Sequence, residues 1–192
     1  RCELGIPADA WVVGTVGRVA AEKNQALLVR AMAPLLGPRM RLIVAGDGPL
    51  FPDLTALAAS LGVTAHAHLL GVRRDVPDIL NAFDVFALSS DTEGLPLVIL
   101  EAMATGLPVL STRVGGIANV IDEGVTGFLV TKGDEAALRA RAAALRDDPA
   151  AARACGAHAR QAAITRFSAA RMQRDYLDLY ARVLSPVRDT VG

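Results

Sequence analysis

A chain of 192 residues with 52% hydrophobic content is long enough to bury one substantial core. Twenty basic residues against twenty acidic ones leave a net charge of zero, so no basic surplus points to nucleic acid, and the uncharged runs are too short to span a bilayer. Cys2 and Cys155 form neither a disulfide framework nor a metal-binding spacing, which makes a reducing cytoplasm the default.

Taken in order, the chain alternates two kinds of segment. Short, continuous apolar runs at 11–16, 41–45, 68–70, 85–88, 108–111 and 127–130 read as strands. Helical patterns fill 25–36, 50–61, 76–82 and 96–104, with a short one at 116–120. Buried strands separated by helices predict an α/β fold, a Rossmann-like parallel sheet of about six strands covered on both faces. In such sheets ligands gather at the carboxyl ends of the strands. The loops after Val16, Ala45, Leu70 and Leu88 should therefore share one rim.

The first of these loops carries Gly17, Arg18, Glu22 and Lys23. Neither the dinucleotide-binding glycine trio nor a P-loop is present. Two cations stand on the ligand rim instead, and the chain holds only two lysines against eighteen arginines, so its composition does not favour a lysine here. The plainer alternative is a solvated loop with Glu22 paired to its neighbours. Gly46-Asp47-Gly48-Pro49 reads first as a turn into a helix. His66 and His68 lie on one face of the third strand with no third ligand nearby, so a structural role is expected and no metal. Gly71-Val72-Arg73 closes that strand, and Asp75 before Val76-Pro77 reads as a helix cap.

The stretch 89–112, SSDTEGLPLVILEAMATGLPVLST, is the most informative. Pro96 stands where a helix would begin, and Gly106 stops that helix. Glu93 lies just before it and Glu101 inside it, their backbones on the order of 10 Å apart along the axis. That is too far for the roughly 5 Å carboxylate pair of a retaining glycosidase. It suits a ligand lying across the helix N-terminus, with a diphosphate on the free N–H groups of Leu97 and Val98. Glu101 and Glu93 would then take hydroxyl groups on either side. Two bland readings compete: Ser90 and Glu93 as a capping box, and Glu101 as a surface charge. Against the first, Pro96 would fall inside the first turns and break the ladder. Against the second, the helix is apolar nearly all round, which predicts burial and a partnered carboxylate.

Gly115-Gly116 forms a tight turn into the short helix. From Asp134 the chain turns to alanine- and arginine-rich helices at 135–146, 150–165 and 169–184, with Asp134 and Ser168 as caps and Pro149 as a starter. In the last helix Met172, Tyr176, Leu179, Tyr180 and Val183 make one apolar stripe, expected to pack on the domain's own sheet.

The string EGLPLVILEAMATGLPVL, with Glu93 and Glu101 separated by seven residues, resembles the hallmark of the retaining nucleotide-sugar glycosyltransferases of family four, which have the two-Rossmann GT-B fold. GTVGRVAAEKN, RLIVAGDGP, HLLGVRRDVPDIL and VGGIANVIDEGVTGFLV continue the likeness in the family's order. It covers nearly the whole chain, but only the family's C-terminal, donor-binding half. The resemblance implies a single donor-binding domain over 1–192, whose final helix at 168–185 crosses to the N-terminal half, where the acceptor binds, which would leave part of that helix's apolar stripe exposed here instead of packed on the sheet. It assigns catalytic roles to Arg18, Lys23 and Glu93, and nucleotide-sugar contacts to Gly17, Arg73, Gly94, Leu95, Leu97, Val98 and Glu101. Many relatives carry glutamate where this chain has Asn119. The implied activity is transfer of a hexosyl or other glycosyl group from a nucleoside-diphosphate sugar, with retention and without metal or other cofactor. A sugar-nucleotide epimerase of the same fold and a non-catalytic nucleotide-sugar-binding module are the alternatives. The expected location is the cytoplasm, with peripheral contact at the inner membrane face left open. The chain starts at Arg1 without a methionine and is expected to be a piece of a longer one.

Overall fold

A computed structural model describes residues 1–184. Six strands form one parallel sheet: β1 (Trp11–Val16), β2 (Met40–Ala45), β3 (Ala67–Leu69), β4 (Val85–Leu88), β5 (Val109–Thr112) and β6 (Gly127–Val130). Their spatial order is β3-β2-β1-β4-β5-β6. The order reverses between β1 and β4, so the loops leaving these two neighbours diverge and open a crevice at their carboxyl ends. The described residues also form seven α-helices, of which the first six connect and cover the sheet: α1 (Gln25–Met32), α2 (Phe51–Ser60), α3 (Val76–Leu80), α4 (Leu97–Thr105), α5 (Glu135–Asp147), α6 (Pro149–Arg166) and α7 (Ala169–Leu184). This is the expected Rossmann-like α/β architecture.

Alternation along each strand divides the core in two. Val12, Ile43, Phe86 and Val109 point to the face covered by α3, α4 and α6. Val13, Leu42, Val85 and Leu110 point to the face covered by α1, α2 and α5. Both faces are dry, which explains why the strands read as unbroken apolar runs rather than as alternating ones. On the first face α4 and α6 approach closely, since a Cβ on Gly156 would lie 2.1 Å from the Gly106 carbonyl oxygen.

Several boundaries differ from expectation for identifiable reasons. Pro34 lies inside the expected helix 25–36; the α-helix stops at Met32 and a 3-10 turn (Ala33–Leu35) takes over, because proline has no N–H to continue the ladder. Pro96 occupies the N-cap of α4, in an extended conformation, rather than its first helical position. The segment near 116–120 is a 3-10 turn, Gly115–Asn119. The caps at Asp134 and Ser168 form as expected, accepting from the N–H groups of Ala137 and Arg171.

Two larger corrections concern helices. Helix α4 is not buried all round: Ile99, Ala102 and Met103 are buried, whereas Leu97 is 69% exposed and Glu101 is exposed. Its outer face looks onto the rim and onto an open groove shared with α7. Helix α7 does not pack on the sheet, and none of its residues is buried. Met172, Tyr176, Leu179, Tyr180 and Val183 are all exposed. Of the expected final helix at 168–185, residue 185 lies outside the described residues.

Candidate functional site

The loop after β1 folds into a 3-10 turn (Ala21–Lys23) and ends at Asn24, which has a left-handed backbone with φ of 45°. Asparagine tolerates that conformation better than most residues, and its side chain serves twice. Asn24 Oδ1 accepts from Leu27 N–H to cap α1, and Asn24 Nδ2 donates to Asp91 at 3.2 Å. From the loop after β4, Ser89 Oγ donates to the Asn24 carbonyl at 2.8 Å, and Asp91 N–H donates to the Glu22 carbonyl at 2.8 Å. Two loops some 70 residues apart in sequence are thereby tied into one structure.

Within it Lys23 meets Glu93. The ammonium donates to both carboxylate oxygens, at 2.7 and 2.8 Å, and Ser90 Oγ donates to Glu93 Oε1 at 2.7 Å. The Glu93 side chain is 6% exposed and that of Lys23 25%. Ser90 and Glu93 therefore do meet, though not as a capping box, since Pro96 holds the N-cap of α4 and no side chain caps that helix. Gly115 secures the Glu93 backbone from the other side. Its φ is +53°, and a Cβ there would lie 1.8 Å from the Glu93 carbonyl oxygen, so only glycine satisfies both demands. Gly116 N–H donates to the Gly94 carbonyl at 2.7 Å. Gly46 and Gly48 act similarly below the first loop, where Cβ atoms would meet the Gly17 and Val19 carbonyl oxygens at 1.9 and 2.3 Å.

In front of Lys23 lies a cleft of about 480 Å³ at the carboxyl ends of β1 and β4. Gly17, Arg18, Lys23, Leu97, Val98 and Glu101, six of the residues singled out in the sequence, all line it. Val76, Pro77 and Leu80 of α3 form its apolar wall. Arg18 is exposed, and among the described residues its guanidinium has no hydrogen-bond partner. The same holds for the Glu101 carboxylate; only the Glu101 carbonyl is engaged, by Thr105 Oγ1 at 2.9 Å. The first N–H groups of α4, on Leu97 and Val98, have no acceptor within the helix and carry the positive end of its dipole. The cleft thus offers a free guanidinium, a half-committed ammonium and an uncapped helix N-terminus at one end, and a free carboxylate one helical turn further along. That combination suits an anion joined to a hydroxyl-bearing group.

The remaining candidates lie elsewhere. Glu93 stands behind Lys23 rather than in the cleft lining, and Gly94 is exposed on the loop beside it. Leu95 faces a second, apolar groove of about 550 Å³ between α4 and α7, shared with Leu97, Phe167, Met172 and Tyr176. Arg73 is committed to Asp75 through a two-pronged ion pair, Nε to Oδ1 at 2.8 Å and Nη2 to Oδ2 at 2.5 Å. That bond lowers the Asp75 carboxyl below its ordinary range and raises the guanidinium further. Asp75 occupies the N-cap of α3, but its side chain makes no cap bond, the arginine having taken it. His66 contacts Arg41, while His68 Nε2 is buried without a partner. Burial, then the nearby Arg41 and His66 charges, lower the His68 pKa. Among the described residues no cluster of His, Cys, Asp or Glu is placed to hold a metal ion. The contributions of Asn24, Ser89 and Asp91 escaped the sequence reading. The only hint was a polar Ser-Ser-Asp cluster directly after an apolar strand.

Known proteins resemble this chain along most of its length. N-acetyl-alpha-D-glucosaminyl L-malate synthase of Bacillus anthracis is 35% identical over 183 residues, covering 95% of this chain and 48% of its own length. D-inositol 3-phosphate glycosyltransferase of Corynebacterium efficiens is 38% identical over 159 residues, 77% of this chain and 37% of its own. The crystal structure of Anabaena HepE in complex with UDP superposes with a TM-score of 0.89 at 28% identity, covering 95% of this chain and 51% of that one. The chain thus spans about half the length of the first two of these relatives or less, and half of the third. The sequence model described as Glycosyl transferases group 1 matches residues 1–162, and with relatives at this identity along nearly its whole length the chain belongs to the group 1 glycosyl transferases.

Proposed function

We propose that this chain is the donor-binding half of a glycosyltransferase that moves a sugar, with retention, from a nucleoside-diphosphate sugar to an acceptor held by the family's other half. The observation that carries the reading is the meeting of Arg18, Lys23, the uncapped α4 N-terminus and the unpaired Glu101 in one cleft at the sheet's switch point. Related support comes from Anabaena HepE, whose structures are described as complexes with UDP, with UDP-glucose, and with UDP and glucose. Neither the epimerase nor the non-catalytic module is favoured by the likenesses.

The residues divide the work by charge. The diphosphate lies against the Leu97 and Val98 N–H groups, with Arg18 and Lys23 supplying charge-assisted bonds to it. As the sugar–phosphate bond breaks, negative charge builds on the departing diphosphate, and these preorganised positive groups stabilise it more than they stabilise the intact donor. Glu101 accepts from the vicinal hydroxyls of the ribose. Glu93 acts through Lys23 and turns its remaining acceptor capacity towards the donor sugar. Arg73 and the loop around it border the nucleobase, and Gly94 and Leu95 flank the sugar. The proposal assigns phosphate neutralisation to side chains and calls on no metal or other cofactor. No helix among the described residues is long and apolar enough to cross a membrane, and a cytoplasmic location is proposed with the function.

The test is titration of the purified chain with UDP, GDP and ADP and with their sugar-bearing forms, beside a transfer assay using a full-length relative as control. Binding of one nucleoside diphosphate is expected, without turnover. Positioning an acceptor accounts for roughly 7–11 kcal/mol of barrier reduction, and the groups for it lie in the other half. Failure to bind any of the three up to millimolar concentration refutes the reading; turnover near the control's rate refutes the division into halves.

A further inference from the structure

Behind Lys23 lie two buried hydroxyl groups that take no part in lining the cleft. Thr112, at the carboxyl end of β5, donates its Oγ1 to the Ser90 carbonyl at 2.6 Å. Ser90 Oγ then donates to Glu93 Oε1 at 2.7 Å. Thr112 and Ser90 are both 0% exposed. Burying hydroxyls carries a desolvation cost that apolar residues of the same size would avoid, so packing alone does not call for them here.

The geometry indicates what the chain of bonds does. A carboxylate on a free side chain rotates about its last torsion, whose energy profile is broad. Glu93 is instead held from behind at Oε1, by a donor that is itself anchored to the sheet. With Oε1 fixed, both oxygens face one side of the Lys23 ammonium, which donates to them. The rest of its donor capacity is directed away from the carboxylate, and Lys23 lines the cleft.

We infer that Ser90 is a positioning residue of the donor site: through Glu93 it fixes the direction of the Lys23 ammonium and the carboxylate orientation by which the sugar-bearing donor is told from the bare diphosphate. The inference rests on the donor-site reading above. Loss of the Ser90 hydroxyl leaves the cation in place, so the diphosphate is still held. The orientation of Glu93 becomes a distribution, and its contact to the sugar weakens.

The experiment compares the wild-type chain, Ser90→Ala, Glu93→Ala and the double variant, each titrated with UDP, GDP, ADP and their glucose forms. For the nucleotide that binds, Ser90→Ala is expected to cut the preference for the sugar-bearing form by about three- to tenfold, the span of one ordinary hydrogen bond, since Lys23 still holds the carboxylate. In the Glu93→Ala background the same change should alter the preference no further, because residues acting through one another are not additive. Ser90→Cys fills the site with a larger, weaker donor and should fall between wild type and Ser90→Ala, which separates positioning from lost packing. Equal weakening towards both forms, additivity in the double variant, or a wild-type chain without preference for the sugar-bearing form overturns the role of Ser90. A wild-type chain that binds none of the six compounds overturns the donor-site reading itself, and the inference with it.

Discussion

Replacing Glu93 by glutamine should tighten the binding of a bare nucleoside diphosphate while removing the preference for its sugar-bearing form. The Glu93 carboxylate takes two hydrogen bonds from Lys23, at 2.7 and 2.8 Å, and so neutralises much of the charge offered to phosphate. Bonds of about 2.8 Å on each side of the ammonium put the nearest phosphate oxygen on the order of 5–6 Å from the carboxylate. At an effective dielectric constant of about 20, like unit charges at that distance repel by roughly 3 kcal/mol. Lys23 is 25% exposed, and solvent screens part of this. An expected net gain of about 1–2 kcal/mol corresponds to roughly five- to thirtyfold tighter binding. Glutamine keeps the shape and an acceptor at Oε1 for Ser90 and Lys23, while its amide nitrogen replaces the oxygen that took the second Lys23 bond. Titration calorimetry at low and high salt is the assay, and the gain should shrink as salt screens the ligand's charge. Weaker diphosphate binding, or a gain indifferent to salt, would refute the idea that Glu93 holds Lys23 in check.

Three further outcomes follow from the same arrangement. Lys23→Ala should weaken diphosphate more than Arg18→Ala does, because it also leaves Glu93, 6% exposed, as an unpaired anion beside the ligand; adding Glu93→Gln to Lys23→Ala should restore part of the loss, and affinity for the plain nucleoside should hardly move in either. Glu101→Ala should cost about 1–2 kcal/mol in nucleoside diphosphate binding yet leave inorganic pyrophosphate unaffected, if the exposed carboxylate takes ribose and not phosphate as proposed; equal losses for both ligands would reassign it. Gly115→Ala should destabilise the fold by about 1–3 kcal/mol, read as a lower melting temperature, because a Cβ would lie 1.8 Å from the Glu93 carbonyl oxygen at a φ of +53°; an unchanged melting temperature would show that the loop yields without cost.

Much of this protein was legible along the chain because it depends on local repetition. Strands β1, β2 and β4 announce themselves as apolar runs, since a parallel sheet covered on both faces needs no polar side. The sequence singles out Glu101, Arg18 and Lys23 from their places after a helix start and after the first strand, and all three line one cleft, whereas Glu93 stands behind Lys23. What the chain could not state was which distant groups meet. Lys23 and Glu93 pair because β1 and β4 are neighbours in space though not in sequence, and that adjacency comes from the crossover order of the whole sheet. Apolar composition likewise predicted burial for α4, and for α7 against the sheet. Burial, however, depends on what stands opposite, and Leu97 and Tyr176 line an open groove between α4 and α7, where both stay exposed. Arg73 and Asp75, only two residues apart, were each read for another task until their side chains were seen to satisfy one another. Periodicity specifies how a segment folds and which way it faces; only the packed sheet decides which charge each side chain meets, because pairing acts through space over a few ångströms and not along the chain.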